Sequence, residues 1–301
     1  MEVTPAERRI TRIDPEYPPL LREIADPPVA LNVIGLPLEP RPMLAIVGAR
    51  KPTAYGLEVA EWFAAELARA GLVIVSGMAR GIDAAAHLGA MDAGASSVAV
   101  LGCGLNICYP RSNHHIYRRL LESGTVVSEY PSGTAPLPHH FPTRNRIIAG
   151  MSLGALIVEG RPEGGAMITA RLSMEFSREV FAVPGPVHSP VSLGPHLLIR
   201  DGARITTSPL DILEELGLSG QLSFESGDSP AAAPELSPEE SMVLAAMHAQ
   251  PVLLDIIASA AGIPASTASA ILARLELKDL VARHAGSRFS TTAQATQVNR
   301  R

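Results

Sequence analysis

Six short runs of apolar, mostly β-branched residues recur through the middle of this 301-residue chain, each separated from the next by a stretch of helical composition. The runs are Met43–Val47, Leu72–Ser76, Val98–Leu101, Thr125–Ser128, Ala155–Val158 and Glu179–Val183. They are apolar without alternation, the pattern of strands covered on both faces. The intervening Ala54–Ala70, Ala79–Ala93, Asn113–Glu122, Pro142–Met151 and Thr169–Ser177 are rich in Ala, Leu, Arg and Glu, which suits crossover helices. Residues 43–216 are therefore expected to form an α/β domain with a doubly wound parallel sheet. Ligands of such sheets bind outside the carboxyl ends of the strands, where the helices begin.

A hydrophobic content of 47% at this length is enough for a large core and about two domains. No apolar run approaches the roughly 20 residues that a bilayer requires, and the chain does not open like a signal peptide, so a soluble, cytoplasmic protein is expected. Cys103 and Cys108 flank a Gly-rich turn without histidines at ligand spacing, which predicts reduced packing residues and no metal site. The net charge is −5, yet residues 217–240 carry five acids and no base. The rest of the chain is balanced. That stretch is rich in Ser, Gly, Ala and Pro without apolar periodicity, and 217–235 reads as an acidic linker.

Beyond it, Pro238–Ala249, Leu253–Ala261 and Ala265–Lys278 carry helical spacing, and Val281 to Ser290 around Gly286 reads as a small hairpin. Residues 236–301 are expected to be a winged-helix-like domain with a disordered tail. Ser266 and Thr267 are placed to cap or begin the third helix, and Arg274, Lys278, Arg283 and Arg288 supply charge. Its first turn offers Ala, Ser and Thr where base reading needs Arg, Asn or Gln, which favours a protein contact or auxiliary role over duplex recognition.

The loops after the strands hold the unusual residues. Gly48-Ala49-Arg50-Lys51-Pro52 follows the first strand, and Ser76-Gly77-Met78-Ala79-Arg80-Gly81-Ile82-Asp83 the second. Gly102-Cys103-Gly104 follows the third and leads to Tyr109-Pro110-Arg111-Ser112-Asn113. Glycine lets a bound group approach backbone amides and arginine supplies a planar fork, so together they describe an anion cradle. A fourth element is Phe141-Pro142-Thr143-Arg144-Asn145-Arg146, a ring and two cations in the first turn of a helix. Pro142 suits that turn, where a missing N–H costs nothing. Arg144 and Arg146 are too close to share a helical face, so one can reach a cleft while the other braces the turn or contacts a second phosphate. Phe141 is open to two readings, a stacking platform or a hydrophobic staple. Dinucleotide and Walker-type fingerprints are absent, because Gly48 stands with Arg50 and Lys51 precedes proline. Asp83 and Glu159 read either as acid–base residues or as structural carboxylates capping amides or pairing with arginine.

The segment resembles the Rossmann-like core of the bacterial DNA-processing protein A family (DprA/Smf). The resemblance runs through Ile46-Val47-Gly48-Ala49-Arg50, Ser76 to Asp83, Gly102-Cys103-Gly104 with Tyr109-Pro110, Ser128-Glu129-Tyr130-Pro131, Phe141 to Ile148, Ile168-Thr169-Ala170, Phe181 to Gly185 and Leu198 to Ala203. Tyr17-Pro18-Pro19-Leu20-Leu21 and Ala25-Asp26-Pro27-Pro28 look like its short N-terminal segment, placed at 1–42. The resemblance implies single-stranded DNA binding, loading of the RecA recombinase during transformation and recombination, a homodimer through the large domain, no cofactor and no catalysis. The DNA-binding set it implies here is Gly48, Arg50, Ser76, Gly77, Arg80, Gly102, Arg111, Asn113, Phe141, Arg144, Asn145, Arg146, Gly164 and Gly165.

Three positions depart from the family pattern. Ala49 stands where serine is common, Gly164-Gly165 where Ser-Gly is frequent, and Ser177 where the turn before the sixth strand usually has glycine. Two other functions compete with this one. A nucleotide phosphoribohydrolase of the lysine-decarboxylase-like family has a Pro-Gly-Gly-x-Gly-Thr-x-x-Glu loop, but after Pro162-Glu163-Gly164-Gly165 this chain continues with Ile168-Thr169, Arg171 and Leu172 and lacks the carboxylate. The other is a winged-helix regulator whose large domain senses a small anion.

Overall fold

The computed structural model describes residues 6–218, 236–247, 251–278, 280–284, 286 and 288–292. They form two units, Met1–Glu225 and Ser226–Arg301. Nearly all of the expected linker, the last residues of the first tail helix and the expected disordered tail lie outside the described residues.

The large unit begins with β1 (Arg8–Thr11), α1 (Pro19–Arg22) and β2 (Ala30–Gly35), followed by β3 (Met43–Val47), α2 (Ala54–Arg69), β4 (Val73–Ser76), α3 (Ile82–Asp92) and β5 (Ser97–Leu101). A 3-10 turn at Arg111–Asn113 leads into α4 (His114–Ser123), then β6 (Thr125–Ser128), α5 (His140–Met151), β7 (Gly154–Ile157), α6 (Gly165–Glu175) and β8 (Glu179–Ala182). α7 (Leu193–Arg200), β9 (Arg204–Ile205) and α8 (Pro209–Glu215) complete it. The sheet order is β1-β2-β6-β5-β4-β3-β7-β8-β9. All pairs from β6 to β9 are parallel, with Ala45 of β3 opposite Val75 on one side and Ala155 on the other.

β1 and β2 are antiparallel additions at the β6 edge, so the first 42 residues are part of the sheet and not an appendage. Leu31 and Val33 are fully buried there, and the buried Tyr17 donates its hydroxyl proton to Pro28 O at 2.7 Å, tying the segment down.

Two-fold strand periodicity divides the apolar residues between the faces. Met43, Ala45 and Val47 pack with Ile147, Ile148, Met167 and Ala170 of α5 and α6; Leu44 and Ile46 pack with Phe63, Leu67 and Ile82 of α2 and α3. Each fully buried Leu, Ile or Phe is worth about 1.5–3 kcal/mol relative to exposure, so a continuous apolar strand is stable only when helices cover both sides.

Three helices begin two or more residues from where the sequence places them. α3 starts at Ile82 and not Ala79, because Gly81 adopts φ +78° and a Cβ there would lie 2.3 Å from Ala49 O. α6 starts at Gly165 and not Thr169, with Gly164 extended before it (ψ 156°). α5 starts at His140 and not Pro142, which still leaves Pro142 in the first turn. Ser177 holds φ +57°, the left-handed conformation that glycine adopts freely.

His87 is buried on α3 and bonds Ser97 Oγ through Nδ1 at 2.8 Å. Ser97 spends its own proton on Ile74 O, so Nδ1 carries the imidazole proton, and the buried Nε2 has no partner among the described residues. Burial pushes the His87 pKa down to about 3, helped by Arg144. The native imidazole therefore stays neutral where the unfolded one protonates. The melting temperature is expected to fall as pH drops from about 6.5 toward 4, with up to about 1.4 kcal/mol per unit from this residue. His87→Leu should flatten that decline, and an identical pH profile in the variant would refute the assignment.

The small unit contains α9 (Pro238–Ala245), β10 (Val252–Leu253), α10 (Leu254–Ala260), α11 (Ala265–Leu277), β11 (Val281–His284) and β12 (Arg288–Thr291), with sheet order β10-β12-β11. This is the three-helix-and-wing arrangement that the sequence suggests. Val243, Leu244, Ile257, Ile271, Leu272 and Phe289 form its own core. Ser237 and Glu240 make a reciprocal capping box at α9, and Glu240 also accepts from Lys278 Nζ at 2.8 Å. Ser266 and Thr267 lie in the first turn of α11 without capping it. Its exposed face carries Ser266, Thr267, Ser269, Ala270 and Ala273 before any cation.

Candidate nucleic-acid interface

β3 and β7 are neighbours in the sheet although three strands separate them in the chain, so the direction of winding reverses between them. The loops that follow part to opposite faces and leave a crevice, the usual ligand site of a doubly wound sheet. A cleft of about 830 Å³ opens there. Val47 to Lys51, Tyr109, Pro136, Pro138, Phe141, Arg144, Asn145, Gly160, Arg161 and Gly164 to Ala166 are among its lining residues.

Arg144 lies at its floor. Only 5% exposed, it turns toward the sheet edge and donates through Nη1 to Gly77 O at 2.9 Å and to Val100 O. Gly77 is required for this approach, because a Cβ there would lie 2.6 Å from Nη2. Asp83 is buried beside it and accepts the amides of Gly77 (3.1 Å) and Ala79 (3.3 Å). Burial disfavours both charges, lowering the Arg144 pKa to about 10 and raising that of Asp83, and each charge partly offsets the other's penalty. Asp83 thus serves as an amide acceptor, as one of its two sequence readings holds. Glu159 does the same, accepting Thr53 N at 2.8 Å and Thr53 Oγ1 at 2.6 Å at the start of α2; no arginine among the described residues pairs with it.

Above this floor the walls differ in chemistry. Arg50, Lys51 and Arg161 are exposed and make no ion pair among the described residues. Facing the same space are Tyr109 and Phe141, with ring centroids 5.3 Å apart. α6 presents its N-terminus to the same cleft: Gly164 and Gly165 line it and no side chain caps the helix. Asn145 braces that turn by donating Nδ2 to Gly165 O at 3.2 Å.

Of the residues read from sequence, Gly48, Arg50, Phe141, Arg144, Asn145, Gly164 and Gly165 line the cleft. The others lie outside its lining. Ser76 Oγ donates to Ile46 O at 2.6 Å, and Asn113 Nδ2 holds Met78 O and Ala79 O at 3.0 Å each, so these two shape the loops. Gly102 leaves room for Phe141, whose Cδ1 would be 3.0 Å from a Cβ there. Arg80 and Arg111 are exposed on neighbouring loops. Arg146 is the bracing arginine: its Nη2 donates to both carboxylate oxygens of Glu129 at 2.8 and 3.0 Å, its Nε reaches Asp26 at 3.4 Å, and its Nη1 is buried away from the cleft's lining. Arg144 likewise spends Nη1 on carbonyls, because α5 directs it inward across the ends of β4 and β5.

Sequence reasoning omitted Lys51, Tyr109 and Arg161. Lys51 and Tyr109 stand inside the loops already singled out. Arg161 follows β7, and the rule that ligands gather where the winding reverses was the available signal.

Residues 8–217 match the family model described as DNA recombination-mediator protein A, and 227–287 match a DprA winged helix domain. The chain belongs to the DNA-processing protein A (DprA/Smf) family. It is 42% identical over 278 residues to Protein Smf of Escherichia coli, covering 88% of this chain and 72% of that one. Against the DNA processing protein DprA of Bacillus subtilis it is 41% identical over 203 residues, 67% of this chain and 68% of the other. The solved Streptococcus pneumoniae DprA structure matches with a TM-score of 0.67 at 40% identity, over 69% of this chain and 74% of that one. A Helicobacter pylori DprA structure, solved for that protein's single-stranded DNA binding mode, matches with a TM-score of 0.62 at 26% identity, over 70% of this chain and 95% of the other. Within this DprA/Smf fold, both hydroxyl-losing departures fall at the cleft, since Ala49, Gly164 and Gly165 all line it. Backbone amides remain at each.

Proposed function

We propose that this chain binds single-stranded DNA along the cleft at the carboxyl edge of its large sheet and delivers the strand to a RecA-type recombinase. One observation carries the reading: three cations without carboxylate partners among the described residues, an uncapped helix N-terminus and an aromatic wall share one crevice on an acidic protein. Sequence-tolerant single-strand sites combine a cationic track with stacking rings, and amides at a helix start favour phosphate. Family membership supports a recombination role, and RecA is the partner that role implies. A homodimer through the large domain would place two clefts on one strand and raise avidity. A DNA and recombinase partnership also places the protein in the cytoplasm.

The reading includes no catalytic step. Asp83 is the one carboxylate among the described residues that line the cleft, and it is committed to the amides of Gly77 and Ala79; Glu159 is committed to Thr53. Incubation with nucleoside monophosphates should release no free base above background.

The test is binding of a single strand and of a duplex across a salt series, with the full chain and with a variant ending at Leu218. The large unit should retain most of the single-strand affinity and salt slope, with weaker duplex binding. Loss of both on truncation would move the activity to the winged-helix unit, for which the neutral face of α11 gives little support.

A further inference from the structure

Stacking needs ring surface that the fold leaves uncovered, and the two aromatic residues of the cleft differ in this respect. Phe141 is half-buried: its Cδ1–Cε1 side presses on the backbone at Gly102, where a Cβ would lie 3.0 and 3.2 Å from those atoms. Toward the cleft mouth it meets Tyr109 at 5.3 Å between centroids, the planes inclined by 34°. Tyr109 is 44% exposed, its ring contacts Phe141, and its hydroxyl has no hydrogen-bond partner among the described residues. A large aromatic side chain left open against a cleft that also holds unpaired cations is a surface awaiting a ligand with both a π-face and negative charge.

We propose that Tyr109 is the outer base-stacking platform of the cleft and that Phe141 is the ring that holds it in place. The inference rests on the single-strand reading and deepens it. The strand then lies with bases toward the wall made by Tyr109, Pro136 and Pro138, and with phosphates toward Arg50, Lys51 and Arg161. The apolar and cationic walls separate the two halves of a nucleotide, as an amphipathic strand requires. Phe141 acts through its neighbour, since its far side rests on Gly102, where a Cβ would press on the ring edge at 3.0 Å.

The experiment uses the full-length protein and an oligothymidylate carrying one 2-aminopurine, placed at successive positions along the strand. Binding is followed by anisotropy and stacking by the change in 2-aminopurine emission. Tyr109→Phe should bind within about twofold of the unsubstituted protein and keep the emission change. Tyr109→Leu, which retains apolar cover over Phe141, should bind about tenfold more weakly and lose the emission change, at an unaltered melting temperature. If Tyr109→Leu binds and reports like the unsubstituted protein while Phe141→Leu loses both signals, Phe141 is the platform and the proposal falls. If the unsubstituted protein does not bind the oligonucleotide at all, the single-strand reading falls first and takes this inference with it.

Discussion

Arg144→Ala is expected to destabilise the large unit by about 3–5 kcal/mol, the usual cost of removing one member of a buried charged pair. Gly77 O and Val100 O would lose their donor, Asp83 would remain as a buried carboxylate without its cation, and a void would open beneath the cleft. At about 2–4 °C per kcal/mol for a unit of this size, the melting temperature should fall by roughly 6–20 °C. The sign of the pH effect follows from Asp83. Its pKa is already raised by burial, and removing Arg144 raises it further, so the variant's deficit should shrink as acid protonates the carboxyl and grow as pH rises. A phosphate-gripping arginine would behave in the opposite way, leaving melting unchanged while reducing the salt slope by about 0.7. Thermal scans at several pH values together with binding at several salt concentrations decide between them. An unchanged melting temperature with a flattened slope would make Arg144 a direct strand contact.

Removing the rim cations together, Arg50→Ala with Lys51→Ala and Arg161→Ala, should have the complementary effect. None of the three pairs with a carboxylate among the described residues, so stability should change by less than about 1 kcal/mol. Each phosphate contact contributes about 0.7 to the magnitude of a single strand's salt slope, so the triple variant should lose about 2 and bind weakly even at low salt. Arg50→Ala alone should show about a third of the change in slope. If the triple variant keeps the original affinity and slope, the strand does not follow this cleft and the cationic wall serves another purpose.

The two arginine predictions differ because neighbours three-dimensionally close to a side chain, not its type, set its task. Arg144, Arg146 and Arg50 look alike in the chain. α5 sends Arg144 under the loop after β4 and turns Arg146 toward Glu129 and Asp26, which lie 17 and 120 residues away in sequence. Arg50 sits exposed on a loop and acquires no ion-pair partner among the described residues.

Strands were the most legible elements. Met43–Val47 and Thr125–Ser128 read from composition are β3 and β6 residue for residue, and the hairpin around Gly286 appears as β11 and β12. A buried parallel strand declares itself because every residue must be apolar whichever face it meets. Helix starts were less legible at glycine. Gly164 and Gly165 have low helix propensity, yet α6 begins between them, where Asn145 of α5 donates to Gly165 O, a tertiary contact that no local propensity reports. The antiparallel β1 and β2 also escaped, since their pairing with β6 joins residues about 95 apart and leaves no local period to read.

What the chain determined by itself was its class and the edge on which to look: the succession of doubly apolar strands and crossover helices, with glycine and arginine in the loops that follow them, follows from local pattern and short-range sterics. Which of those residues face a ligand was decided only when β3 met β7 and α5 folded across the sheet ends. Burial and hydrogen-bond partnership are properties of the assembled neighbourhood, so Arg144 became floor, Arg146 a brace, and Arg50, Lys51 and Arg161 the open wall.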